Sequence, residues 1–131
     1  MNAAKEFRAA VERSDIDAAS ELLSPDIVFH SPVTFHPFIG RETVTQLLTL
    51  VSQTFEDFRY TDELVADGAH ALIFKAAIEG KELEGIDLLR FDEQGLIADF
   101  TVMLRPLSGL IPFAQAMAEK TMAAGVHTTR S

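Results

Sequence analysis

The apolar residues near the start of the chain recur at helical spacing. Ala3, Ala4, Phe7, Ala10 and Val11 fall on one face, predicting a helix that buries Phe7 and Val11 while Arg8, Glu12 and Arg13 stay in water. Asp15 is placed to cap a second, short helix with Ile16, Ala19, Leu22 and Leu23 on one face, ended by Ser24-Pro25. Ile27, Val28 and Phe29 read as a strand, closed by His30-Ser31-Pro32. Val33 to Ile39 reads as an irregular loop or a short edge strand. From Arg41 to Phe55, the set Val44, Leu47, Leu48, Val51 and Phe55 gives the clearest amphipathic helix in the chain.

Beyond Phe58 the period falls to two. Phe58, Tyr60, Asp62 and Leu64 alternate with Arg59, Thr61, Glu63 and Val65, and Asp67-Gly68 marks a hairpin. Leu72, Phe74, Ala76 and Ile78 line one face of the next strand. Glu79-Gly80-Lys81 and Asp92-Glu93-Gln94-Gly95 bracket a third, and Ala98, Phe100, Val102 and Leu104 share a face of a fourth. This is an antiparallel meander. Leu107, Leu110, Ile111, Ala114, Met117 and Ala118 predict a last helix, in which Pro112 is tolerated only near the first turn. The pattern predicts one α+β domain over 1–124, a curved antiparallel sheet with about three main helices on one face, and a tail fraying over 125–131.

The third meander strand carries the odd residue. Leu83, Gly85, Asp87, Leu89 and Phe91 share a face that is apolar except for one carboxylate. An ionised carboxylate in such a place takes a proton, finds a hydrogen bond or pairs with a cation, so Asp87 reads either as a poised acid or as a satisfied structural carboxylate. No lysine or arginine shares its face, which predicts a raised pKa.

Composition narrows the partners. Twenty acidic residues against eleven basic give a net charge of -9, which argues against nucleic acid and anionic membrane surfaces. The absence of cysteine excludes disulfides and thiolate metal sites. Met1 to Glu6 lacks the apolar core of a signal peptide and no apolar run reaches membrane-spanning length, so a cytoplasmic protein is expected. His30 and His36 stand six apart with no third ligand, and no metal is expected. The seven glycines are scattered at turns, without a phosphate loop or dinucleotide fingerprint, so no cofactor is expected.

The succession of a helix, Ser14-Asp15-Ile16-Asp17, Leu22-Leu23, a strand ending His30-Ser31-Pro32-Val33, then Gly40-Arg41-Glu42, and Gly85-Ile86-Asp87 with Arg90-Phe91 resembles the NTF2-like superfamily. Within it, the chain is similar to SnoaL-like and ketosteroid-isomerase-like members over residues 3 to 120. The resemblance implies a cone around an internal pocket. It also matches Asp87 to the aspartic acid that, in the isomerases, stays protonated and donates to a substrate oxyanion. The proton-shuttling aspartate before the Pro-Val pair is replaced by Ser31, and the oxyanion tyrosine of the first helix by Phe7. A neutral serine is no base near neutral pH, and phenylalanine donates nothing.

The candidates for a second chemical group are His30, His36 and Tyr60. His30 adjoins the lost base position, yet strand alternation points it away from Ser31 unless a bulge re-aims it. Tyr60 turns its hydroxyl into the pocket or packs at the sheet rim; both placements stand open. The expected ligand wall is Phe7, Val11, Ser31, Leu47, Leu72, Phe74, Phe100, Val102 and Leu104. Two functions follow. One is an isomerase, cyclase or dehydratase acting on a small apolar carbonyl compound with Asp87 as acid. The other is a non-catalytic, dimeric binding module for an apolar ligand. A homodimer is expected through the opposite sheet face, at Ile86, Leu88, Thr101 and Met103.

Overall fold

The computed structural model describes residues 3–126. Four helices and six strands follow in the order α1 (Ala3–Glu12), α2 (Ile16–Glu21), β1 (Leu23–His30), β2 (Phe38–Ile39), α3 (Arg41–Thr54), β3 (Glu56–Ala66), β4 (Ala69–Ile78), β5 (Lys81–Phe91), β6 (Ile97–Arg105) and α4 (Leu107–Ala124). The strands form one curved, unclosed sheet in the order β2-β1-β6-β5-β4-β3, an α+β cone with its helices against the inner face. Four pairings are antiparallel, as the meander predicts; β1 with β6 is parallel. Among the described residues no helix is long and apolar enough to cross a membrane.

Local chemistry sets the element ends. The Asp15 side chain accepts from the Ala18 N–H at 3.0 Å, the expected cap of α2. That helix stops earlier than its apolar spacing suggests. Leu22 caps it, and Leu23, expected on the helix, instead opens β1 opposite Ile97. Pro25 lies inside this strand because the β1–β6 ladder is interrupted between Leu23 and Val28, where a missing N–H costs no ladder bond. Pro112 also departs from expectation. It lies in the interior of α4, where packing of Gly109, Phe113 and Met117 on the core holds the helix through it.

Strand β3 bears the consequential difference. Its pairing runs Tyr60 to Phe74 and then Asp62 to Ile73, so Thr61 is an extra residue, a bulge. Beyond the bulge the alternation flips. Glu63, expected opposite Tyr60, comes to Tyr60's side, where it meets His70 of β4 and Arg8 of α1.

Two glycines let layers approach closely. A Cβ on Gly85 would stand 2.7 Å from the Met103 carbonyl oxygen and 2.7 Å from Leu104, and would strike the Phe74 ring. One on Gly109 would stand 2.7 Å from Leu83, so that glycine seats α4 on β5. Gly125 closes α4 in the left-handed conformation and Val126 is buried behind it. Of the expected frayed tail, Val126 is thus packed on the core; 127–131 lie outside the described residues.

Candidate functional site: an aromatic cavity around Asp87

Alternation along β5 sends Asp87 inward, between Leu72 of β4 and Val102 of β6 in the ladder. It is 6% exposed. The Tyr60 hydroxyl donates to its Oδ2 at 2.9 Å, which settles the open placement of Tyr60 in favour of the interior. Burial pushes the Asp87 carboxyl up to about 7, and the Tyr60 hydrogen bond pulls against it. Burial, reinforced by the neighbouring carboxylate, holds the Tyr60 phenol well above its ordinary 10. Tyr60 therefore keeps its proton and donates. A protonated Asp87 has its own O–H left to offer, and the space in front of it is a cavity.

That cavity measures about 640 Å³, the size of pockets that hold small organic ligands. Its wall is mostly aromatic. Phe55 stacks on Phe113 with centroids 4.9 Å apart, Phe58 lies 4.8 Å from Phe74 and meets Tyr60 edge-on at 5.0 Å, and Phe100 receives Phe7 and Phe29 edge-on at 5.4 and 5.1 Å. Such interlocked rings hold their shape, and they keep the dielectric low around the acid.

Of the expected wall, Phe7, Val11, Ser31, Leu47, Phe74, Phe100 and Val102 border the cavity together with Asp87 and Tyr60. Leu72 and Leu104 do not. Leu72 is fully buried in the sheet, with no surface to offer a ligand, and Leu104 borders a shallow groove beside His30, Thr101 and Met103. His30 is a further correction. No bulge re-aims it, and it pairs with Thr101 while its neighbour Phe29 pairs with Phe100 on the cavity wall. Its Nε2 lies 3.1 Å from Asp99 Oδ2, away from Asp87. His36 sits exposed in the loop and is not on the wall. The Ser31 hydroxyl accepts from the Val33 N–H at 3.0 Å.

Several residues at the site escape the sequence reading. Phe113, Met117 and Thr121 of α4, with Val126 just beyond its end, form a wall, although Met117 was legible as apolar at helical spacing. Behind the cavity, the Arg8 guanidinium lies 5.6 Å from the Tyr60 ring centroid and donates to Glu63 Oε1 at 3.0 Å, while Glu63 Oε2 meets His70 Nε2 at 2.8 Å. His70 continues the alternation of Leu72 and Phe74, so its inward face was readable; the turn of Glu63 toward it depends on the Thr61 bulge. Glu12, read as a wet residue of the first helix, borders the cavity. Among the described residues no group of three metal-ligating side chains occurs.

This geometry has close counterparts. A steroid delta-isomerase from Pseudomonas aeruginosa is 35% identical with a TM-score of 0.88, covering 95% of this chain and 93% of its own. A bacterial protein of cystatin-like fold from Silicibacter pomeroyi is 28% identical with a TM-score of 0.89, covering 94% and 87%. An NTF2-like protein from Cytophaga hutchinsonii, at 20% identity, TM-score 0.63 and coverage of 79% and 88%, shares the fold alone. No curated protein matches the chain in sequence. The model of the SnoaL-like domain matches residues 4–100, a span that takes in α1, the Tyr60 strand and Asp87. An inward acid on the third strand of a meander, a cone of helices and sheet around it, and that match together make the chain a member of the SnoaL-like family of NTF2-like proteins.

Proposed function

We propose that the chain is an enzyme of isomerase, cyclase or dehydratase type that binds a small apolar carbonyl compound with its oxygen at Asp87. The observation that carries this reading is the Tyr60 to Asp87 hydrogen bond, buried at the wall of an aromatic cavity. Tyr60 donates to one oxygen of the protonated acid, and the acid's own O–H points its polarity at whatever occupies the cavity. A carbonyl oxygen that gains charge during reaction gains most from such a donor, because little water competes with it. The steroid delta-isomerase likeness supports the isomerase member of the set.

The test is to offer the purified protein a 3-oxo-Δ5-steroid and follow conjugation of its double bond by ultraviolet absorbance. Wild type turns it over. Asp87→Ala loses about a hundredfold or more, the loss typical of removing one oxyanion donor. Asp87→Asn, which still carries N–H donors, loses less. Binding of the steroid by wild type with no change in its spectrum leaves the second reading.

That second reading is a binding module, dimeric and non-catalytic, and one observation favours it. Ser31 and Phe7 border the same cavity as Asp87, yet the Ser31 hydroxyl is engaged by the Val33 N–H and Phe7 is packed edge-on against Phe100. Position 31 offers no base and position 7 no donor in place of the residues they replace.

A further inference from the structure

The polar side chains on the cavity wall are Glu12, Ser14, Ser31, Thr34, Ser52, Tyr60, Asp87 and Thr121. Among the described residues this wall holds no histidine, lysine, arginine or cysteine. Hydroxyl groups of serine and threonine do not accept a proton from carbon near neutral pH, and Tyr60 is held protonated. Two carboxylates remain. Asp87 is committed to the buried hydrogen bond with Tyr60, which leaves Glu12.

We infer that Glu12 is the proton-accepting base of this cavity, doing from the end of α1 what position 31 cannot. The inference rests on the reading of the site as an isomerase. Its warrant is where Glu12 stands. It is the last residue of α1, the helix that also sends Phe7 and Val11 to the wall. Its Oε2 lies 3.4 Å from Arg8 Nε, in an ion pair one helical turn back along α1. The same Arg8 lies over the Tyr60 ring, so one cation ties the helix that bears the base to the residue that holds the acid. Glu12 is also half exposed, at 47% of its side chain, whereas Asp87 is buried. The acid is buried and the base reaches water.

The ligand class follows as a β,γ-unsaturated ketone, with a hydrogen on the carbon between its carbonyl and its carbon–carbon double bond. A Glu12 oxygen takes that hydrogen as a proton. The C–H electron pair becomes a carbon–carbon double bond, the carbonyl π pair moves to oxygen, and Asp87 stabilises or protonates that oxygen. Return of the Glu12 proton to a carbon further along the conjugated system, and of any oxygen-bound proton to Asp87, yields the isomer. No oxidant, reductant or second substrate is needed.

The experiment is proton NMR in D2O with cyclohex-3-en-1-one and, separately, a 3-oxo-Δ5-steroid as probes, following loss of the α-hydrogen signal. Wild type exchanges faster than buffer. Glu12→Gln lowers that rate by about a hundredfold or more, the usual contribution of a general base, while calorimetric affinity for the same ketone changes less than about threefold. Glu12→Ala recovers part of its rate on addition of formate, which a role confined to bracing Arg8 does not allow. Glu12→Gln at the wild-type rate overturns the inference, as does folded Glu12→Ala without formate rescue. Wild type that binds either ketone without exchange overturns instead the isomerase reading beneath it.

Discussion

Glu63 and His70 meet at 2.8 Å on the inner face of the sheet, diagonally across the β3–β4 ladder. The contact exists because the Thr61 bulge turns Glu63 inward. The His70 hydrogen bond, followed by that of Arg8, holds the Glu63 carboxyl below its ordinary 4.5 against the opposing effect of burial. A carboxyl whose folded pKa is depressed adds stability that is present above its unfolded value and lost as pH falls through the folded one. Urea unfolding between about pH 3 and pH 6 should therefore show acid destabilisation that Glu63→Gln removes. At neutral pH the same substitution costs about 1–3 kcal/mol, because it weakens charge-assisted bonds to a buried histidine.

Asp87 has the opposite sign. Its folded value, about 7, stands above the unfolded 3.8, so the native state holds the proton longer than the unfolded chain. The contribution is fully favourable below the unfolded value and declines as pH rises to the folded one. Asp87→Asn removes this decline and gains stability at pH 8, on the order of a few kcal/mol at most. Carboxyl NMR of Asp87, paired with unfolding curves of both proteins at pH 4 and pH 8, checks it. A gain at pH 4 equal to that at pH 8 contradicts the assignment.

Gly85→Ala places a methyl group against the Met103 carbonyl, Leu104 and the Phe74 ring. Because one of these is backbone of the adjacent strand, relief must come from the sheet as well as from side chains. The expected cost is about 1–3 kcal/mol, read from the urea midpoint. Displacement of Phe74 also disturbs the ring that faces Phe58, so ketone affinity should fall with stability.

A homodimer is proposed through the outer face of the sheet. Ile86, Leu88 and Thr101 are partly exposed there and Met103 is half exposed, grouped by the β5–β6 register. Sedimentation at micromolar concentration should give twice the chain mass, and Leu88→Glu with Met103→Glu should give the monomer. A monomeric wild type counts against the proposal.

Period-two and period-3.6 spacing carried the helix and strand succession and the inward face of Asp87, since an apolar face with one carboxylate is visible in the residues themselves. What stayed hidden depends on contacts between distant segments. The bulge at Thr61 reverses Glu63 without any glycine or proline to announce it. Leu23 leaves its helix because Ile97, far along the chain, offers a ladder partner. Glu12 sits one residue past Val11 on a helix whose charged side reads as wet, and only the placement of α1 over the cone shows that this edge borders the cavity. Tyr60 was legible as a candidate with a hydroxyl to offer, but its bond to Asp87 was not, because that partner lies two strands away.

The parallel pairing of β1 with β6 has a consequence for how the protein is made. Phe29 and Phe100 are ladder neighbours, although roughly seventy residues separate them. Such long-range pairing is slow to form, since a large loop must close before any contact repays its lost freedom. On a ribosome, α1, β1 and α3 emerge well before β6 can join them, with Phe7, Phe29 and Leu47 still uncovered. The rings that later form a ligand wall are then sticky surface on a half-made chain, and overexpression at lower temperature, where synthesis slows, should raise the soluble yield.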